Sequence, residues 1–84
     1  MIRYTVVWPT GAEDELTELW IAASDREAIT AAARAIDVDL SEDATVKGVA
    51  LSEGLRALFA PPLRVLFAVR EEDRLVEVLR VKRL

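Results

Sequence analysis

Apolar and polar positions divide this chain into a helical first half and a strand-rich second half. Ile2 to Trp8 is a run of β-branched and aromatic residues, the composition of a strand. Pro9 closes it, because proline donates no ladder hydrogen bond and holds its predecessor extended. From Thr10 the period changes. Ala12, Leu16, Leu19, Trp20 and Ala23 recur at three- and four-residue spacing and define one buried helical stripe. Thr10 with Glu13 has the spacing of a capping box, and Glu13, Asp14 and Glu15 put negative charge where the helix dipole favours it. Ser24 with Glu27 repeats that spacing at once, so a second helix follows with almost no loop, from Asp25 to about Leu40. Its stripe is Ala28, Ile29, Ala32, Ala33, Ile36 and Leu40, and its alanines permit close approach to a neighbour. The pair reads as an αα-hairpin. Trp8 and Trp20 both read as core residues.

Ser41 to Gly48 is polar and reads as loop, and Val49 to Leu51 is a short candidate edge strand. Leu55–Ala60 is nearly repeated by Leu63–Ala68, with Pro61-Pro62 between them as a turn. Glu71 to Arg74 is a second polar turn, and Leu75 to Arg83 is the last strand. The order β-α-α-β-β-β predicts an α+β fold, with the two-helix hairpin on one face of an antiparallel-rich sheet. Alternation turns Leu63, Val65, Phe67 and Val69 toward the core. An odd-numbered turn or a bulge is expected at Pro61-Pro62. Leu55, Ala57 and Phe59 then join the core face, and Arg56 shares the other face with Arg64. The alternative buries a charged arginine beside Phe67, which is costly.

With 84 residues, positions 1–84 form a single domain. No run approaches a membrane span, and no signal peptide opens the chain, so a cytoplasmic protein without a membrane partner is expected. Cysteine and histidine are both missing, which excludes disulfides, thiolate metal sites and the commonest general base. No cofactor and no metal are expected. The net charge of −4 hides a division: residues 1–45 balance to −7 and residues 46–84 to +3. That asymmetry points to an anionic partner for the second half. The cations expected on the sheet are Arg56, Arg64, Arg80, Lys82 and Arg83, with Arg80 and Lys82 on one face of the last strand. Arginine forks suit phosphate and developing phosphoryl charge, so these side chains are the candidate target-binding set.

Three segments carry a family resemblance: Tyr4-Thr-Val-Val-Trp-Pro9 with the acidic residues and Leu19-Trp20 after it, Gly54 to Val69, and Asp73 to Arg83. In their order and spacing they resemble toxins of the RelE/ParE superfamily across essentially the whole chain. The resemblance implies the toxin of a type II toxin–antitoxin system, of the plasmid-stabilisation kind, neutralised by a cognate antitoxin. Members of one branch cleave messenger RNA on the ribosome, and members of the other inhibit DNA gyrase without nuclease activity. For a nuclease, Arg56, Arg64, Lys82 and Arg83 would be the catalytic positions. This sequence places Phe67 where many members carry tyrosine, and Ala60 and Pro61 where RelE-like enzymes keep another basic residue. Neither His nor Tyr stands near Arg83. The expectation is therefore a ParE-like gyrase inhibitor, with a ribosome-dependent endoribonuclease or an inactive, antitoxin-binding regulatory member as alternatives. A homodimer or a toxin–antitoxin hetero-oligomer would be its assembled form.

Overall fold

The computed structural model describes residues 2–52 and 54–84, so Met1 and Glu53 lie outside the account that follows. Strand β1 (Thr5–Val7) leads into helix α1 (Thr10–Ala22), and helix α2 (Arg26–Leu40) follows almost directly. A single 3-10 turn (Ala44–Val46) precedes four consecutive strands: β2 (Val49–Ser52), β3 (Leu55–Ala60), β4 (Leu63–Arg70) and β5 (Leu75–Arg83). The last four form an antiparallel meander, and β1 pairs parallel with β5, giving the order β1-β5-β4-β3-β2. The α+β expectation holds, with Val49–Ser52 added as the edge strand.

The core lies between the hairpin and one face of the sheet. Ile29, Ile36 and Leu40 of α2 meet Leu63, Val65 and Phe67 of β4 and Val76, Val78 and Val81 of β5, all 1% exposed or less. Apolar spacing of three and four residues on the helix and of two on the strand produces that match. Trp20 departs from its stripe and is 40% exposed, while Trp8 packs against the core and donates its Nε1–H to Asp37 Oδ1 at 2.9 Å. Ala28 is exposed as well.

Neither helix uses the expected capping box. Pro9 is the N-cap of α1, and Asp25 that of α2, each without a side-chain cap hydrogen bond. Pro9 itself is extended, at φ −56° and ψ 160°, and the helix begins at the next residue, so Thr10 falls inside the first turn. At Asp25 the carboxylate is engaged elsewhere, with Arg83.

The register at Pro61-Pro62 corrects the sequence reading. Ala60 pairs with Leu63 across an even, two-residue turn, and no bulge interrupts β3–β4. Arg56 therefore lies opposite Phe67 on the helix side, whereas Phe59 lies opposite Arg64 on the open side. Leu55 and Ala57 also face the open side, and Leu58 and Ala60 replace them against the core. Burial of Arg56 is tolerable because its guanidinium reaches the sheet end. It donates there to the carbonyls of Lys47 at 2.7 Å and Gly48 at 3.3 Å. Hydrogen bonds from a charged donor contribute about 1.5–3 kcal/mol each, enough to offset partial desolvation.

Candidate functional site

The five candidate cations do not form one cluster. Arg56 is spent as the clamp on the loop before β2. A bulge in the β4–β5 pairing falls between Leu66 and Phe67, so Val78 and Val81 both reach the core although an odd spacing separates them. Beyond that bulge Arg80 and Lys82 share the open face, as alternation requires, opposite Leu66 and Arg64. Arg83 lies opposite Leu63 on the helix side.

Two of these side chains are drawn back onto the helices. Arg80 Nε donates to Glu15 Oε2 at 2.9 Å, and Glu15 Oε1 accepts the backbone N–H of Val81 at 3.0 Å. One carboxylate thus binds both an arginine and the strand of that arginine. Arg83 forms a two-pronged pair with Asp25, at 3.0 and 2.8 Å, where the two helices meet. Such fork-to-carboxylate geometry is the most directional form of ion pair. The Val81 N–H bond, followed by Arg80, lowers the Glu15 pKa from 4.5 against the opposing effect of burial. The hydrogen bond from Arg83 is the chief cause lowering that of Asp25 from 3.8.

These depressed values carry a pH consequence. Carboxylates with folded pKa values below their ordinary ones stabilise the fold above those ordinary values, and the contribution disappears as pH falls through the folded ones. Thermal stability should therefore start to fall as pH drops below the ordinary carboxylate range, and fall further as Glu15 and Asp25 protonate at their lowered values and release Arg80 and Arg83. Glu15→Gln and Asp25→Asn should each flatten the drop in a melting series from about pH 7 to pH 3. An unaltered slope in the double variant would show that these carboxylates are not responsible.

Arg64 and Lys82 remain. They lie directly opposite each other on β4 and β5, and neither makes a hydrogen bond or an ion pair among the described residues. Phe59, 55% exposed, completes the same transverse row on β3. The sequence reading assigned Phe59 to the core, so its place beside two cations was missed. Only the parity of the turn could have revealed it. The next row holds Ala57, Leu66 and Arg80. Like charges directly opposite destabilise a sheet, and here Lys82 has only a longer-range attraction to Glu15, whose pKa it helps to lower, to set against Arg64 among the described residues. Elsewhere on this face Arg70 pairs with Glu77 at 2.9 Å. Tyr4, the only tyrosine, is buried in the core on the helix side.

Among the described residues no three acidic side chains converge as a metal site. No helix is long and apolar enough to cross a membrane.

No family model matches the sequence, and no curated relative matches it. Solved structures do. The RelBE2 toxin–antitoxin complex of Mycobacterium tuberculosis contains a chain 25% identical to this one, with a TM-score of 0.82. That match covers 100% of this chain and 94% of the other. The chromosomal ParDE system of P. aeruginosa supplies a second match at 19% identity and TM-score 0.70, over 100% and 99% of the two chains, which speaks for the fold alone. With its helix hairpin on one face of a mixed five-stranded sheet, and with full-length overlay on these chains, this protein has the fold of RelE/ParE-type toxins.

Proposed function

We propose that this chain is the toxin of a type II toxin–antitoxin pair, held in check by a small antitoxin, and that it acts in the cytoplasm by binding DNA gyrase. The observation that carries the choice of binding over cleavage is the internal commitment of three candidate cations. Arg56, Arg80 and Arg83 each hold a partner within the chain, leaving Arg64 and Lys82 alone with Phe59. Cleavage of RNA by its own 2′-hydroxyl needs a base, an acid and several donors around the phosphoryl group. Two cations without an unengaged acid–base partner suit recognition better. An aromatic anchor flanked by basic side chains is the composition of a protein-binding hot spot.

The direct opposition of Arg64 and Lys82 favours a second reading, in which they clamp one phosphate as a ribosome-dependent endoribonuclease would require. Induced expression with and without the adjacent small reading frame tests the toxin role. Growth arrest rescued by the neighbour is expected, and its absence would leave an inactive, antitoxin-binding member. Purified protein should then inhibit gyrase supercoiling and leave mRNA uncut in primer extension. Cuts in the ribosomal A site that vanish in Arg64→Ala would overturn the gyrase assignment in favour of the nuclease.

A further inference from the structure

Strand β1 pairs with β5 only over Leu75–Glu77, so β5 from Val78 to Arg83 has no strand beside it on that edge. Helix α1 lies along the gap, and Glu15 spans it. One oxygen of Glu15 accepts the Val81 N–H at 3.0 Å, and the other accepts Arg80 Nε at 2.9 Å. Capping an edge N–H takes one neutral acceptor, which a glutamine also supplies. The second oxygen and the charge of Glu15 are directed at Arg80. By register that arginine belongs to the open face, opposite Leu66 and one row from the opposed Arg64 and Lys82. Alternate residues stand about 7 Å apart along a strand, so a released Arg80 would stand beside both. Its side chain, 52% exposed, is instead drawn to the sheet edge by Glu15.

We propose that Glu15 is a specificity-determining residue: by withholding Arg80 from the open face, it excludes single-stranded nucleic acid from that face. The inference deepens the protein-target reading and rests on it. A flexible polyanion binds by the number of phosphates it can neutralise at once, and an aromatic side chain beside them stacks on any base. Arg64, Lys82 and a released Arg80 would be such a set, three cations in adjacent rows with the exposed Phe59 at their side. Arg64 and Lys82 alone, opposed across one strand pair, offer a single anionic contact, which suits a carboxylate on a protein surface. Asp25 provides an internal comparison. It holds Arg83 in a two-pronged pair, but on the helix side of the sheet, so releasing Arg83 adds nothing to the open face.

Fluorescence anisotropy of a labelled oligouridylate of about twelve nucleotides, titrated with protein over a series of salt concentrations, tests this. Glu15→Gln keeps an acceptor for the Val81 N–H, and so keeps the fold, while its neutral amide releases Arg80. This variant should bind at least fivefold tighter than wild type at about 50 mM salt. Its plot of log K against log salt should also steepen by about 0.7, the value of one further phosphate contact on a single strand. Glu15→Gln combined with Arg80→Gln has the net charge of wild type and should return the wild-type slope. Asp25→Asn removes the same charge and releases an arginine on the other side, and it should keep the wild-type slope too. An unchanged slope in Glu15→Gln would overturn the inference. So would a steeper slope that persists without Arg80, or one that appears equally in Asp25→Asn. Gyrase supercoiling decides the protein-target reading separately. If wild type leaves supercoiling untouched while Glu15→Gln gains an Arg80-dependent slope, that reading fails and the restraint stands. If wild type inhibits supercoiling and the slope does not move, the restraint alone fails.

Discussion

Lys82→Glu is expected to abolish growth arrest while making the fold slightly more stable. Lys82 and Arg64 face each other directly across β4 and β5, at a separation where side chains interact strongly. Reversing one charge turns repulsion into an ion pair, and such cross-strand pairs contribute about 0.2–1 kcal/mol. The gain belongs at the lower end of that range in ordinary salt, because the pair lies at the surface and is screened. Recognition should move the other way. The substitution removes one cation of the row Phe59–Arg64–Lys82 and engages the other, so any target offering carboxylates or phosphates loses both cations at once. Truncating a hot-spot arginine typically costs 2 kcal/mol or more, so target affinity should fall by roughly thirtyfold or further. Arg64→Ala should lose arrest without loss of folding, and Phe59→Ser should weaken it. Thermal melts run beside growth assays separate the effects. A Lys82→Glu protein that still arrests growth would remove this row from target binding, and one that melts well below wild type would make the pair structural.

That opposed pair was hidden in the sequence for a specific reason. The helices and strands were legible, because spacings of three and four in Ile29, Ala32 and Ile36 and of two in Leu63, Val65 and Phe67 have one physical reading each. Which face carried Arg56 was not. The choice rested on the cost of burying an arginine beside Phe67, and that cost was met by two carbonyls from residues eight and nine positions earlier in the chain. Periodicity contains no information about such a partner. Parity of a turn governs every side chain after it, so one misjudged dipeptide, Pro61-Pro62, moved Phe59 from the open face into the supposed core. Trp20 failed for a related reason. Its position on the stripe is correct to within one column, but Arg26, six residues on, offers the indole a cationic stack at the surface instead of a place in the core. The acidic hairpin was legible as a charge total. Its meaning was not, because some acids hold strand arginines and others line an open groove, and only the fold separates the two.

The same clamp exposes the most closely approached of the three glycines, Gly48. Gly48→Ala is expected to destabilise the fold by about 3 kcal/mol or more, from two causes that add. Gly48 has φ +66°, where an L side chain costs roughly 1–2 kcal/mol. In addition, a Cβ at this position would lie 2.0 Å from the carbonyl oxygen of Ala57 and 2.9 Å from its carbon. Both atoms are backbone of β3, held by pairing with β4, so relief requires the incoming chain to lift. Lifting it pulls the Lys47 and Gly48 carbonyls from Arg56 and loosens β2, which begins at the next residue. Gly54 provides the control. Its φ is +74°, yet an added Cβ would meet nothing within 4 Å. Gly54→Ala should therefore show the conformational cost alone, roughly 1–2 kcal/mol. Denaturant unfolding of the two variants isolates the close approach as the difference between them. Equal losses would mean that the loop yields freely over Ala57. A larger loss at Gly48 would establish that the crossing of this loop over β3, and not the left-handed backbone, fixes the end of the sheet on which Arg56 is clamped.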